Sequence, residues 1–536
     1  MIKPSLANAK KAFSVAKTLF TAERPDEQEK IFIKHNKEIW GNYVQDQDSG
    51  EILLESISMS SSIIAFSYLA NLLAKLHRSR IVAYSAGRKN ILTRLTNGKV
   101  NKIYRSFNVS DFIFHELTPD QLREVDRLFN EIFPSLRTKR DVEDLKLEDV
   151  WIGDLLYDSH CLNYQVPTIT LGDLRFHESL RSAVSSYVFW RDYLRNHKVK
   201  SVILSHTVYV TSGVVTRLAI DMEIPVYQIN ATHLHYLTKK DLWAYDEFFY
   251  YPEQFLELSE EERRKGLELA KERLEKRFSG EVGVDMHYSR KSAYGQTRKE
   301  RVLRESDKIK ILVATHCFFD NPHPYGVNLF PDFYEWLHFL GEISEVTDYE
   351  WYIKTHPDFL PGNIPIIEEF ISKYPKFRMI PSDTSHLQLH EEGINFGLTV
   401  YGTIGFEYAA LGLPVINASL CNPRIRYSFN KHPRSVEEYK NILLNLHVQK
   451  VDINLNEVYE YYFMAFIHNV NHWLFEDYDG FLSEIGGYYQ QYGSISYKKL
   501  VEDFSQIRHK QVLDSLQRFV ESREYNFRQK FLKREG

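Results

Sequence analysis

The stretch Thr399–Ala418, TVYGTIGFEYAALGLPVINA, decides the fold. It reads as a buried strand, a tight turn at Gly402-Thr403, a short helix, and a second buried strand opening at Leu413-Pro414-Val415-Ile416. Gly412 ends the helix, and a proline just beyond it cannot continue one. A glycine-threonine turn at a helix start presents backbone N–H groups and the positive helix end to an anion. Gly405 keeps the first turn slim, and Glu407 sits one turn in, within reach of a sugar hydroxyl. Alone, the stretch is one βαβ unit of an α/β sheet.

Outward from it, the same alternation recurs. Upstream, the pattern predicts strands at Ile309–Thr315, Tyr349–Lys354 and Phe377–Ile380, with helices over Leu329–Val346 and Ile364–Tyr374. An earlier block repeats it: strand Ile52–Glu55, helix Ser61–Leu76, strand Arg80–Ser85, then Asp149–Asp154 running into a helix. Helix Ser179–Asn196, strand Val202–His206, helix Gly213–Asp221 and strand Pro225–Ile229 follow. Strands alternating with helices at this spacing predict mostly parallel sheets covered on both faces. Between the blocks lies a charged helix, LSEEERRKGLELAKERLEKRF, laced with i, i+4 opposite charges, and then a polar aperiodic segment placed to form a loop over a cleft.

The predicted organisation is an N-terminal helical extension (1–50), a Rossmann-like domain (51–250) and a charged linker (251–308). A second Rossmann-like domain (309–450) and a C-terminal helical tail (451–536) complete it. The fold class is α/β and GT-B-like: two Rossmann-like domains facing across a cleft, with C-terminal helices. The length of 536 residues exceeds what one core serves.

Composition narrows the function. The chain is 43% hydrophobic and 26% charged with a net charge of −5, which argues against a broad basic nucleic-acid face. Three cysteines, Cys161, Cys317 and Cys421, lie far apart without metal-ligand spacing, as in a reducing compartment. The start, MIKPSLANAKKAFSVAKTLF, lacks an apolar signal core. The expected location is cytoplasmic, at the inner face of the membrane if the basic ends meet anionic lipid. No GxxxxGK[ST] or strand-borne GxGxxG loop occurs, so kinase, ATPase and dinucleotide readings lose their support. Asp46-Gln47-Asp48 precedes a strand and Asp477-Tyr478-Asp479 falls in the helical tail, so neither fits an Asp-x-Asp metal site, and no catalytic metal is expected.

In open α/β sheets ligands sit beyond the carboxyl ends of strands. Those ends are polar here. In the second domain they carry His316, then Lys354 and His356, then Ser385 and His386, then Gly402, Thr403 and Glu407. A cation, imidazoles, hydroxyls and backbone N–H groups together suit a phosphate or diphosphate. The first domain offers Asp154 and His206 as base or nucleophile toward an acceptor hydroxyl or anomeric carbon. His233 and His235 alternate as on a strand, without a third ligand for zinc.

Several of these residues form a recognisable set. Lys354-Thr355-His356-Pro357 resembles the Lys-x-His-Pro motif of bacterial capsule-polysaccharide biosynthesis proteins, and Thr399-Val400-Tyr401-Gly402-Thr403-Ile404-Gly405-Phe406-Glu407 resembles their Gly-Thr-x-Gly-x-Glu turn. Thr315–His323 and Gly153–Asp158 are also similar to segments of surface-carbohydrate biosynthesis proteins. The blocks scatter from Gly153 to Ile416; those of the first domain match loosely and the aromatic tail matches nothing. The resemblance is to GT-B glycosyltransferases, Kdo-transferase-like capsule synthesis proteins among them, some of which use a CMP-activated keto-sugar. It implies a nucleotide against His356, Ser385, Thr403 and Glu407.

The expected function is metal-independent transfer of a sugar from a CMP-, UDP- or GDP-sugar to a glycan or lipid-linked glycan acceptor, with no other cofactor. A nucleotide-sugar epimerase or a polyol-phosphate transferase of the same fold fits the same strand ends. A non-catalytic scaffold has no need for them.

Overall fold

The computed structural model describes residues 24–41, 49–85, 91–243, 246–295, 300–355, 362–470 and 473–532. His356 and Pro357, Asp46-Gln47-Asp48 and the basic first twenty residues lie outside them.

The first domain is built on six strands: β1 (Glu51–Glu55), β2 (Arg80–Ser85), β3 (Val109–Phe114), β6 (Val199–Leu204), β7 (Val226–Ile229) and β8 (Leu234–Leu237). Their order is β3-β2-β1-β6-β7-β8. All pairs are parallel except β7–β8, and Leu53 of β1 stands opposite Val82 on one side and Val202 on the other. Every residue of β1 is buried, as expected of a central strand with helices on both faces. The helix Ser60–His77 packs onto β1 and is apolar nearly all round, because the C-terminal helices bury its far side.

The second domain carries β9 (Lys310–Ala314), β10 (Glu350–Lys354), β11 (Phe377–Met379), β12 (Phe396–Thr399) and β13 (Val415–Asn417) in the order β11-β10-β9-β12-β13, all parallel. Val313 of β9 pairs with Ile353 and with Leu398, which fixes the register of the sheet centre.

Two differences from the sequence reading have plain causes. Val150–Trp151 (β5) does not join the large sheet; it pairs antiparallel with Lys146–Leu147 (β4) as a two-residue hairpin leading into the helix Gly153–Tyr164. Strand β3 escapes the apolar-run criterion because it is an edge strand whose Ser110 and Asp111 are exposed.

The tail returns to the first domain. The helix Leu455–Phe463 packs on the linker helix Glu260–Phe278 and on the second domain, whereas Trp473, Phe475, Phe481, Leu516 and Phe519 join the core around β1 and the helix Ser60–His77. The segment after the last long helix then pairs with the sheet edge: Tyr236 N–H donates to the Tyr525 carbonyl, 2.7 Å, and Phe527 N–H to the Leu234 carbonyl, 2.8 Å. Among the described residues no helix is long and apolar enough to cross a membrane.

The carboxyl edges of the two sheets face each other. After β9 the chain sends Asp320, His323 and Asp332 to the first domain, where Tyr209 donates to Asp320, 2.7 Å, and Tyr157 and Thr168 donate to Asp332. His323 lies fully buried between Asp158 Oδ1 at 2.6 Å and Glu143 Oε1 at 3.3 Å. Burial opposes a charge on this imidazole, but the two carboxylates outweigh it and hold His323 up to about 10. It is an imidazolium that fastens one domain to the other.

Candidate functional site

Counted within its own sheet, the second domain runs 3-2-1-4-5, so the crossovers from β9 and β12 leave in opposite directions. Such a switch point opens a crevice at the carboxyl ends. A cavity of about 820 Å³, mouth included, lies there. Its floor is Ala314, Thr315 and His316 from β9, Lys354 and Thr355 from β10, and Thr399, Gly402 and Thr403 from β12 and its turn. The far wall comes from the linker: Arg277 at the end of the charged helix, then Glu281, Lys291 and Tyr294.

Lys354 is 2% exposed, and its Nζ donates to the Ser382 carbonyl at 2.7 Å, the single hydrogen bond it makes among the described residues. Burial pushes it down to about 8, against the upward pull of Glu407. An ammonium with donors to spare, aimed into a crevice, is equipped for an anion.

His316 is held by what surrounds Nε2. Gly402 N–H donates to Thr399 Oγ1, 3.1 Å, and that hydroxyl meets His316 Nε2 at 3.0 Å. The Val400 and Tyr401 N–H groups also point at Nε2, at 3.3 and 3.4 Å. The network assigns Nε2 as acceptor and the ring proton to Nδ1. Phe333 stacks on the ring, centroids 4.6 Å apart.

Glu407 is buried, yet both oxygens are engaged. Oε1 accepts from Arg277 Nε at 2.9 Å and a terminal nitrogen at 2.5 Å, and Oε2 from Tyr294 at 3.0 Å. The carboxylate thereby ties the linker to the helix Ile404–Ala410 and keeps acceptor capacity at Oε2 for one further hydroxyl. Gly405 is small for a local reason. A Cβ there would lie 2.9 Å from Arg424 Nε and from Asn430 Oδ1, and Arg424 in turn donates to the Gly402 carbonyl at 2.9 Å.

The cavity thus collects His316, Lys354, His386, Gly402, Thr403 and Glu407. His386 bonds Tyr408 through Nδ1 at 2.9 Å. Ser385 is occupied within the fold, where its hydroxyl donates to the Tyr294 carbonyl at 3.0 Å and caps the helix His386–Glu391. Asp154 is not at the cleft. It is 1% exposed and grips Arg217 with both oxygens at 2.5 Å, while Arg217 lies over Trp151, so the carboxylate is buried in a charge pair and turned away from any acceptor hydroxyl. His206 is exposed at the end of β6, on a separate cavity of the first domain. His235 bonds Gln228 and Glu247. Arg277 and Tyr294 were not singled out from sequence; both sit in the linker, where the pattern offers only charge and aperiodicity.

The chain matches no family model, and no curated protein matches it. Among solved structures, it is similar to KpsC of Thermosulfurimonas dismutans, described as a β-Kdo 2,4 transferase, at 13% identity over 49% of this chain and 79% of that one, TM-score 0.30. A UDP-GlcNAc 2-epimerase from Neisseria meningitidis aligns at 12% identity over 84% and 98%, TM-score 0.21. A glycosyltransferase from Rickettsia africae aligns at 11% over 91% and 100%, TM-score 0.22. Scores this low carry no functional weight, and the chemistry has to be read from the side chains.

Proposed function

We propose that this protein is a glycosyltransferase that takes a sugar from a nucleotide-sugar donor bound in the second-domain cavity and passes it to a glycan or lipid-linked glycan of a bacterial surface polysaccharide. The observation that carries the reading is Lys354, a buried ammonium held near 8 at a strand switch point, with a single carbonyl partner among the described residues. Keeping it charged in the folded protein costs about 3 kcal/mol, a cost that a bound phosphate offsets. In this reading Lys354, the His316 Nδ1–H and the Thr403 hydroxyl stabilise the nucleotide phosphate as charge develops on it during transfer. Glu407 Oε2 accepts from a hydroxyl of the donor, and Arg277 and Tyr294 hold that carboxylate at its angle. The acceptor approaches from the first domain, where His206 is the candidate base. No metal is assigned a step.

The test is calorimetric titration with CMP, UDP, GDP, ADP and CDP, with and without EDTA, followed by product analysis with the matching nucleotide sugar. One nucleotide binding in EDTA, and nucleotide release that depends on acceptor, supports the reading. Conversion of donor without acceptor points to the epimerase, and transfer of phosphate into the product to the polyol-phosphate enzyme. Absence of binding by all five sinks it.

A further inference from the structure

The first domain has its own switch point, between β1 and β6, and a second cavity opens there. The helix Ser60–His77 aims its N-terminus at it. That terminus has no side-chain cap, and the first intrahelical bond is Ile63 N–H to the Met59 carbonyl, so the preceding N–H groups have no intrahelical acceptor. Independently, Ser61 and Ser62 line the cavity at 1% and 3% exposure, and neither hydroxyl has a hydrogen-bond partner among the described residues. Hydroxyls that find no partner within the fold and open onto the cavity are donors available to whatever enters it.

The other walls agree in sign. Asn230 Oδ1 accepts from the Thr232 and His233 N–H groups, which turns its amide nitrogen outward as a donor. No carboxylate lines the cavity among the described residues. Glu55 sits behind Ser205, where it accepts from Ser205 N–H, Ser205 Oγ and Ser212 Oγ at 2.6–2.8 Å, and is not part of the lining. No lysine or arginine lines it either, which suits a singly charged oxyanion better than a phosphate dianion.

We infer that this cavity binds the carboxylate of an acidic sugar, and that the acceptor glycan is therefore acidic. The inference rests on the first domain being the acceptor side. Saturation-transfer NMR with sodium glucuronate, with glucose and inorganic phosphate as separate probes, tests it on the full chain. Glucuronate is expected to bind where glucose does not, and Ser61→Ala/Ser62→Ala to weaken it at least about tenfold through two lost charge-assisted bonds. Asn230→Asp, nearly isosteric, is expected to abolish it by repulsion with an unchanged melting temperature. Lys354→Ala should leave glucuronate binding intact, and the serine variant should leave nucleotide binding intact, so the two sites fail separately. Equal binding of glucose, binding of phosphate alone, or full glucuronate binding by the serine variant overturns the inference.

Discussion

Nucleotide binding should lose affinity as pH rises from 7 to 9, through Lys354. With the ammonium at about 8, about nine-tenths of the unliganded protein carries the charge at pH 7 and about one-tenth at pH 9. If binding requires the cation, the association constant falls about tenfold across that interval, roughly 1.4 kcal/mol. The second ionisation of a phosphate, near 6, is already about nine-tenths complete at pH 7 and changes affinity by only about 10% up to pH 9. A lysine at its ordinary value, about 10.4, would give a nearly flat curve. Lys354→Met should remove the slope and weaken binding at pH 7 by about 1.5–3 kcal/mol, the worth of a hydrogen bond to a charged group. Linkage adds a signed corollary. Because the folded value lies below the unfolded one, the unfolded chain holds the extra proton between pH 8 and about 10.4, and this group makes stability rise with pH there. Isothermal titration from pH 7 to 9 on both proteins is the assay. A flat wild-type curve, or an undiminished slope in the methionine variant, would refute the assignment of the phosphate to Lys354.

Three further outcomes follow from the packing. His323→Ala leaves Asp158 buried without its cation, while Glu143 keeps Arg140 at 2.6 Å, and should cost about 3–5 kcal/mol. Its stabilisation is full below about 6.5 and lost as pH rises through about 10, so the melting-temperature gap between wild type and variant should close at alkaline pH. Gly405→Ala should cost about 1–3 kcal/mol by overpacking against Arg424 and Asn430, and should weaken nucleotide binding by moving the Gly402 turn; denaturant titration and calorimetry check the two parts. Tyr294→Phe removes one of the donors holding Glu407 and should cost about 0.5–1.5 kcal/mol of stability with a measurable rise in nucleotide Kd, whereas an unchanged Kd would separate Glu407 from the donor site.

Strands buried on both faces announce themselves, which is why β1, β2, β9 and β10 were legible as apolar runs and why their polar ends led to Lys354, His316 and Thr403. The edge strand β3 was not, since Val109 alone of its residues is fully buried. Asp154 misled because a carboxylate opening a helix after a short strand looks the same whether it faces a cleft or, as here, Arg217 some sixty positions later in the chain. Glu407 is readable as a carboxylate one turn into a helix, but its pairing with Arg277 and Tyr294 depends on a loop fold that no periodicity encodes. Ser61 and Ser62 passed unnoticed for the opposite reason: in sequence they are an ordinary helix start, and only burial without partners makes them notable.

The return of the tail to the first sheet sets folding against synthesis. The face of the helix Ser60–His77 that Trp473, Leu516 and Phe519 cover, and the β8 edge that Tyr525 and Phe527 close, are made long before their partners. Roughly 240 residues separate the end of β8 from Trp473, which at about 5–20 residues per second leaves an apolar surface and an open strand edge bare on the nascent chain for about 12–50 s. The amino half is thus the first to be translated and the last to be finished, and a ribosome stalled within the second domain would display an aggregation-prone intermediate that the completed protein never shows.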